Sequence, residues 1–185
     1  MLKVYIATGN RHKVEEISRI LREYDILLEG IKSPKLEIQS ENLEDIAVFA
    51  VKNLKTDLRP VIVEDAGLFI YALNGFPGPY SSYVYKTIGI EGILRLMENE
   101  NNRRAYFLST IALKNKKEDI KVFIGKVEGY ISKSPKGTWG FGFDPIFIPI
   151  GENRTFAEMT IEEKNKYSHR AKAAKKLAEW LLKNI

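Results

Sequence analysis

Two adjacent carboxylates, Glu64 and Asp65, follow a short run of branched apolar residues and stand just before Gly67. Such a run is typical of a buried strand, so the sequence predicts that this strand ends by delivering both acids to the rim of a sheet. Neighbouring carboxylates repel each other, and a hard divalent cation such as Mg²⁺, which prefers oxygen ligands, would relieve that repulsion. A second interpretation also fits: the acids cap the strand and face water.

A second set of residues that could take part in chemistry lies in the predicted turn between a strand at residues 3–7 and a helix that begins near Val14. Free N–H groups at a helix start attract anions, Gly9 allows close approach of the backbone, and Lys13 adds a cation. The turn is not a Walker A loop, because the second glycine and the Gly-Lys-Ser/Thr ending are missing. It is either a phosphate-binding turn or only a tight turn.

Aromatic residues stand among glycines between Gly137 and Phe147, where the chain also carries Asp144. Phe141 or Phe143 could stack on a base, because a flat aromatic face contributes ~1–3 kcal/mol per stacked base. Asp144 could then accept a hydrogen bond from the base or the sugar. The alternative is that this segment forms an aromatic corner of the core.

Three cationic residues, Lys164, His169 and Arg170, are predicted to cluster at the start of a C-terminal helix for which Ser168 is a natural N-cap. Positive charge is unfavourable at a helix N-terminus, so a bound anion would offset this cost. The second interpretation is an exposed helix start that tolerates its cations.

The elements that must position these groups follow the periodicity of the apolar residues. Strands are predicted at 3–7, 26–29 and 61–63, and helices are predicted after Lys13, at 43–54, at 89–97 and after Ser168. In the first helix, Glu16 is predicted to face solvent.

The remaining segments are predicted to be a hairpin and two loops. Residues 105–113 and 120–131 have the pattern of two strands of a long hairpin. Glycines and prolines at 74–83 predict a stiff loop. A proline-marked loop with one extended segment covers 33–41 and carries Glu37, which is either a second metal ligand or a solvated acid.

The composition predicts a single globular domain with a substantial core, since 44% of the 185 residues are hydrophobic and 29% are charged. No apolar run approaches the ~20 residues of a membrane span, and strand pattern begins at the N-terminus, so we expect a cytoplasmic protein without a membrane partner. The absence of cysteine excludes disulfides, thiolate zinc sites and cysteine nucleophiles. The net charge of +5 suits either a pocket for small anions or a nucleic-acid surface.

Six short motifs occur along the chain. They are Thr8-Gly-Asn-x-x-Lys13, Glu64-Asp65-x-Gly-Leu68, Gly75-x-Pro-Gly78, Phe141-Gly-Phe-Asp-Pro145, Phe156-Ala-Glu-Met159, and Glu163-Lys-Asn165 with Ser168-His-Arg170. In type and order these motifs resemble the inosine triphosphate pyrophosphatase family, which hydrolyses non-standard purine nucleoside triphosphates. The resemblance implies an α/β fold: an elongated mixed β-sheet flanked by helices, one domain over residues 1–185, with two lobes and a nucleotide cleft between them. It also implies a homodimer.

By position, the resemblance assigns a role to each candidate residue. The phosphates would be held by Thr8, Gly9, Asn10, Arg11, His12 and Lys13; Mg²⁺ by Glu37 and Asp65, with Glu64 as a further candidate; the base by Phe141, Gly142, Phe143 and Asp144; and Lys164, His169 and Arg170 would complete the nucleotide contacts. Asp65 would accept the proton of the attacking water, and Lys13 would stabilise charge in the transition state. Ala66, placed among the substrate contacts, stands where many relatives have Ser or Thr. Phe49 and Ser82 stand where some relatives have lysine.

The expected reaction is Mg²⁺-dependent hydrolysis of ITP, dITP or XTP between the α and β phosphates, which cleanses the nucleotide pool. A 6-keto purine would be accepted and adenine disfavoured, because a donor aimed at O6 meets the 6-amino donor of adenine. The nearer alternative is a septum-inhibitor-type pyrophosphatase that acts on pyrimidine or modified nucleotides. The more distant alternative is a non-catalytic nucleic-acid-binding module. Such a module would bind oligonucleotides without Mg²⁺, with an affinity that falls steeply as the salt concentration rises. We expect no nucleic-acid partner.

Overall fold

The computed structural model describes residues 1–115 and 117–184, and these residues form an α/β fold built on one mixed sheet. The strands are β1 (Leu2–Ala7), β2 (Ile26–Ile31), β3 (Val61–Ile70), β4 (Pro77–Gly78), β5 (Arg104–Lys114), β6 (Ile120–Ile131) and β7 (Phe147–Pro149). The helices are α1 (Arg11–Arg22), α2 (Leu43–Lys52), α3 (Ser81–Thr87), α4 (Gly89–Leu96), α5 (Ile161–Asn165) and α6 (His169–Asn184). Short 3₁₀ helices cover Tyr71–Leu73, Asp144–Ile146 and Phe156–Glu158. The predicted fold class is confirmed.

The sheet has the strand order β2-β1-β3-β5-β6-β7, with β4 paired to β3. β1 is parallel to both of its neighbours, which places Val4 beside Leu28 and Tyr5 beside Val61. Parallel pairing requires a crossover, and α1 provides it between β1 and β2. β5 and β6 are neighbours joined by residues 115–119, a connection too short for a parallel crossover. The predicted hairpin is therefore confirmed.

Helix α1 forms because it has a buried apolar face and a capped N-terminus. Its inward residues Ile17, Ile20 and Leu21 are almost completely buried. The side-chain oxygen of Asn10 accepts hydrogen bonds from the backbone N–H groups of His12 at 3.0 Å and Lys13 at 3.4 Å. This cap satisfies two of the N–H groups that a helix start leaves unpaired, and it fixes where the helix begins.

The chain divides into two compact units. Unit 1 comprises Met1–Asp65, Ser109–Gly125 and the chain from His169 onward. Its apolar residues form two clusters, one around Ile62 with α1 and α6, the other around Val63 with α2. Because adjacent strand residues point to opposite faces, these clusters cover the two sides of the unit's part of the sheet.

Unit 2 comprises Ala66–Leu108 and Lys126–Ser168. Its core is rich in aromatic rings, with Phe107, Phe147 and Phe156 in mutual contact at centroid distances of 4.7 to 6.2 Å. Such ring pairs add stability beyond the area that they bury. In the described part of the chain, no helix combines the length and the apolar character needed to cross a membrane.

The prediction that a strand ends at the acid pair is wrong. β3 continues through Glu64 and Asp65 as far as Ile70, and it pairs with β4 at Leu68 and Phe69. Gly67 makes this pairing possible, because a Cβ atom there would lie 2.2 Å from the carbonyl oxygen of Gly78. The glycine therefore marks a close approach of two strands rather than a strand end.

The stretch at 74–83 is more regular than the predicted stiff loop, since it contains β4 and the start of α3. The Ser81 hydroxyl accepts a hydrogen bond from the Leu68 N–H at 2.8 Å and donates one to the Gly78 carbonyl at 2.6 Å. One buried side chain thus holds β3, β4 and α3 together. Residues 33–41 form a loop as predicted, and all of them are described without a strand assignment.

Candidate active site

Unit 1 contains a buried network of two acids and two bases. The Arg170 guanidinium lies 2.6 Å from Glu16 Oε2 and 3.0 Å from Glu64 Oε1, and Lys13 Nζ lies 2.8 Å from Glu64 Oε2. The Ser109 hydroxyl donates a further hydrogen bond to Glu64 Oε1 at 2.7 Å. The formal charges of this network cancel, which is the condition under which ions can be kept out of water.

Four different elements deliver these side chains, and one of them, β5, carries Ser109. Lys13 and Glu16 are three residues apart in α1 and therefore lie on the same side of the helix. Glu64 points to the α1 and α6 side of the sheet, as Ile62 does two residues earlier in β3. Arg170 reaches the same place from the first turn of α6. The prediction that Glu16 faces solvent is wrong, because its residue is only 2% exposed.

The carboxyl group of Glu64 is held as an anion by its neighbours. Burial would raise its pKa, but the charges of Arg170 and Lys13 and the hydrogen bonds from Lys13 and Ser109 outweigh burial and hold the pKa well below its ordinary value. Lys13 also donates a hydrogen bond to the backbone carbonyl of Glu64 at 3.2 Å. With 15% of its side chain exposed, Lys13 is the basic residue of the network that retains access to solvent.

The interpretation of the cationic residues as an exposed helix start is wrong. His169 and Arg170 open α6, and each is only 2% exposed. The cost of placing Arg170 at a helix N-terminus is offset by Glu16 and Glu64, so the chain supplies anions of its own. Lys164 is not at this helix start: it lies in the last turn of α5, within unit 2.

The turn before α1 is shaped by its own side chains. The Thr8 hydroxyl accepts a hydrogen bond from the Asn10 N–H at 3.1 Å, and Arg11 and His12 are exposed. Gly9 is exposed as well, its backbone is not left-handed, and a Cβ atom there would meet nothing within 4 Å. The fold therefore does not require glycine at this position, which favours a phosphate-binding turn over a merely tight one.

Asp65 follows Glu64 in β3, so its side chain points to the opposite face of the sheet, the side covered by α2. Burial raises the pKa of Asp65; the charges of Lys13 and Lys35 lower it in part, and those of Glu64 and Glu37 raise it further. The net result is a pKa above the ordinary value for an aspartate. A carboxyl group of this kind is a candidate proton acceptor.

The Glu37 side chain is 57% exposed, and its Oε1 atom is 2.6 Å from the ammonium of Lys35. Its charge also acts on Asp65. Across the described residues, Asp, Glu, His and Cys side chains form no metal-binding group of three or more. Mg²⁺ is commonly held by one or two carboxylates together with substrate phosphates, so Glu37 and Asp65 fit a metal that binds with a triphosphate. Glu64, the further candidate, takes part in the buried network.

Unit 2 carries a second buried ion pair. Lys164 Nζ lies 2.6 Å from Asp144 Oδ2, and it is 5.2 Å from the ring centroid of Phe141 and 5.3 Å from that of Phe156. Asp144 Oδ2 also accepts a hydrogen bond from the Phe141 N–H at 2.9 Å. We call these four residues the Lys164 cluster. It presents a cation between an acid and two aromatic faces, an arrangement in which an ammonium is favourable.

The glycines around this cluster have separate roles. Gly140 has a φ of +74°, and a Cβ atom there would lie 2.1 Å from Asp144 Oδ2, whereas Gly142 has a φ of +60° and open space around it. Phe143 is only 3% exposed and packs edge-on against Tyr85 at 5.5 Å. The aromatic-corner interpretation therefore describes Phe143, while the neighbouring Phe141 is partly exposed.

Three residues of these sites were not predicted from the sequence. Glu16, Ser109 and Lys35 were not among the candidates, although each contacts a residue that was. The spacing of Glu16 three residues after Lys13 in an amphipathic helix was the one signal that could have found it. Ala66, a predicted substrate contact, is half-buried in β3 beside Asp65.

Comparisons with known proteins agree over almost the whole chain. The model of the Ham1 family matches residues 4–180. The dITP/XTP pyrophosphatase of Hyperthermus butylicus is 55% identical, over 96% of this chain and 94% of the relative. The dITP/XTP pyrophosphatase of Methanopyrus kandleri is 50% identical, over 100% and 98%, and that of Pyrococcus horikoshii is 50% identical, over 100% and 99%.

Solved structures give the same picture. The Ham1 protein of Staphylococcus aureus is 31% identical, with a TM-score of 0.84, and the match covers 99% of this chain and 100% of that one. The HAM1 protein of Coxiella burnetii is also 31% identical, with a TM-score of 0.85 and the same coverage of 99% and 100%.

Proposed function

This chain belongs to the Ham1 family, and on that premise we propose that it hydrolyses dITP, ITP and XTP to the nucleoside monophosphate and pyrophosphate. Relatives that are 45 to 55% identical over nearly the whole chain bear the name dITP/XTP pyrophosphatase, and ITP carries the same base as dITP. The single observation that carries the proposal is the convergence of Lys13, Glu64 and Arg170 in one buried network. The network fixes the positions of both cations, and Lys13, the one that retains access to solvent, can bind a polyanion.

We assign the triphosphate to unit 1. The N–H groups at the start of α1 and the ammonium of Lys13 would bind phosphate oxygens, and Gly9 leaves room for them. Because Glu64 already holds Lys13 and Arg170, neither cation has to reorganise when negative charge grows in the transition state. This preorganisation is the contribution to catalysis that we ascribe to the network.

Glu37 and Asp65 would hold Mg²⁺, because their hard oxygens suit it and substrate phosphates complete its coordination. When bound, the metal neutralises phosphate charge and makes a water easier to deprotonate. Asp65 would accept the proton of the attacking water, since burial gives its carboxyl group a raised pKa and hence a greater affinity for a proton.

We assign recognition of the base to the Lys164 cluster. An ammonium only donates hydrogen bonds, so Lys164 would donate one to the 6-keto oxygen of hypoxanthine or xanthine and would oppose the 6-amino group of adenine, which is also a donor. A site whose polar groups are left unpaired by the wrong base can reject it by ~10⁴-fold. Phe141, which is partly exposed, would stack on the purine.

The proposal is tested by measuring pyrophosphate release from ITP, XTP, GTP, ATP, dTTP and UTP side by side, with and without Mg²⁺. We expect ITP and XTP to be turned over at least ~100-fold more efficiently than ATP, and only with the metal. Preference for dTTP or UTP would favour the septum-inhibitor-type enzyme. Binding to oligonucleotides whose affinity falls steeply with salt concentration, without hydrolysis, would favour the nucleic-acid-binding module.

We further propose a homodimer that acts in the cytoplasm, where the nucleotide pool lies, without a nucleic-acid partner. The resemblance to dimeric enzymes supports the oligomeric state. Light scattering should give twice the chain mass of 21.2 kDa, and a monomer across a range of protein concentrations would contradict it.

A further inference from the structure

Lys35 is a lysine of the loop before α2 that belongs to none of the six motifs. Its ammonium lies 2.6 Å from Glu37 Oε1. Its charge is also the second cationic influence on Asp65, after that of Lys13. The Lys35 side chain is only 18% exposed, whereas that of Glu37 is 57% exposed. The lysine is thus mostly covered, and the acid that it faces opens to solvent.

An ammonium and a divalent metal compete for the same carboxylate oxygens. Lys35 faces Glu37 and influences Asp65, the two acids that the proposed function gives to Mg²⁺. Without a metal, the positive charge of Lys35 relieves the repulsion between these acids. Once a dication binds there, Lys35 would face a charge of its own sign and must move to another anion. The triphosphate that binds with the metal is such an anion.

We propose that Lys35 is a mobile counter-ion of the metal site, paired with Glu37 in the metal-free protein and transferred to a phosphate oxygen when metal and nucleotide bind. This inference rests on the proposed function, and it identifies a substrate-binding residue that no motif contains. A lysine suits the role, since its ammonium is a compact charge on a flexible stem.

The inference is tested in Lys35→Met by two measurements, of metal binding and of the KM for ITP, which should change in opposite directions. In the absence of nucleotide, Mn²⁺ binding followed by electron paramagnetic resonance should tighten by about 2- to 5-fold, the amount that a partly exposed ion pair is worth. With saturating Mg²⁺, the KM for ITP should rise about 10-fold or more, because a charge-assisted hydrogen bond to phosphate is lost. A purely structural role would not move these two quantities in opposite directions.

Lys32→Met is the matched control, since it removes the same charge from an exposed position in the same loop. We expect neither quantity to change in it. Unchanged or weaker Mn²⁺ binding in Lys35→Met would overturn the inference, as would an equal effect in Lys32→Met. Mn²⁺ binding is measured without substrate, so this test is independent of the test of the proposed function. A parent protein that releases no pyrophosphate from any purine triphosphate would contradict the proposed function instead.

Discussion

Charge compensation determines what single side chains do in this chain. Glu64 and Asp65 are neighbours in β3, yet they point to opposite faces and have opposite pKa shifts. At Glu64, burial is outweighed by Arg170 and Lys13, so the carboxylate is fixed as an anion. At Asp65, burial prevails and the pKa is raised. We therefore give Glu64 the task of holding cations and Asp65 the task of exchanging a proton.

The first prediction concerns Asp65→Asn, which should remove activity while stabilising the fold at neutral pH. A raised pKa means that the folded protein favours protonated Asp65, so above that pKa its buried charge costs stability that an amide does not cost. We expect kcat to fall about 10²- to 10⁴-fold and Tm at neutral pH to exceed that of the parent. The gain in Tm should shrink as the pH falls and the parent's Asp65 becomes protonated.

Pyrophosphate assays and thermal melts over a range of pH give both readings for Asp65→Asn. An active variant would contradict the role of Asp65 in the reaction. A Tm difference that does not depend on pH would contradict the raised pKa.

The second prediction concerns Glu64→Gln, which leaves Lys13 and Arg170 with one anion fewer. Breaking a buried ion pair by removing one partner lowers the free energy of unfolding by about 3–5 kcal/mol. Ser109→Ala removes only one hydrogen bond to the charge and should lower it by about 1.5–3 kcal/mol. Because the pKa of Glu64 is lowered in the fold, its contribution is complete above its ordinary value of 4.5 and is lost as the pH falls towards the folded value.

Urea unfolding of the parent and of Glu64→Gln at neutral and acidic pH measures this contribution. The stability gap should narrow in acid. An equal gap in both conditions would show that Glu64 is not held as a carboxylate.

Among the elements, the sequence predicted those whose signal is local. β1 and α1 follow from apolar periodicity, and α1 also has a capping side chain at Asn10. The end of β3 and the whole of α3 were not predicted, because both depend on a contact between strands. Gly67 lies against Gly78, and Ser81 bonds to both strands. A local pattern contains no information about which distant backbone passes close to a glycine.

The third prediction concerns the turn before α1. Gly9→Ala should leave stability unchanged or raise it slightly, by about 0.4–1 kcal/mol, because the backbone is permissive and a methyl group meets nothing within 4 Å. The same methyl group would stand where a phosphate approaches, so the KM for ITP should rise severalfold. Denaturation curves and steady-state kinetics test this separation. Loss of stability with unchanged KM would identify Gly9 as a structural glycine.

The fourth prediction compares two glycines of the segment next to the Lys164 cluster. Gly140→Ala and Gly142→Ala both place a methyl group on a left-handed backbone, which costs about 1–2 kcal/mol. Only at position 140 would the new Cβ atom collide with Asp144, at 2.1 Å. Gly140→Ala should therefore be the less stable variant, and it should also lose discrimination between ITP and ATP. Equal stability and equal selectivity in the two variants would contradict the role of Asp144 in recognition.

At the scale of the whole molecule, the sequence predicted which residues belong to the sites better than it predicted the residues with which they pair. Lys13, Asp144 and Arg170 were singled out from their motifs, but Arg170 pairs with Glu16 at the other end of the chain. Periodicity placed Glu16 on the polar face of α1, and that prediction is wrong, because Glu16 is one of the buried residues of this helix. Its burial results from tertiary pairing, which overrides the pattern of a single element.

Charge is also distributed at this scale. The two acids and two bases of the buried network cancel, and so do Lys164 and Asp144. The net charge of +5 must therefore reside outside these two groups. A positive excess of this kind attracts polyanionic nucleotides and makes the rate of association sensitive to salt.

The central claim is that the enzyme cleaves between the α and β phosphates of a non-standard purine nucleotide. ³¹P nuclear magnetic resonance of a reaction with ITP and Mg²⁺ tests it most directly, because it identifies both phosphorus-containing products. We predict that IMP and pyrophosphate appear in equal amounts. Orthophosphate together with inosine diphosphate would contradict the account.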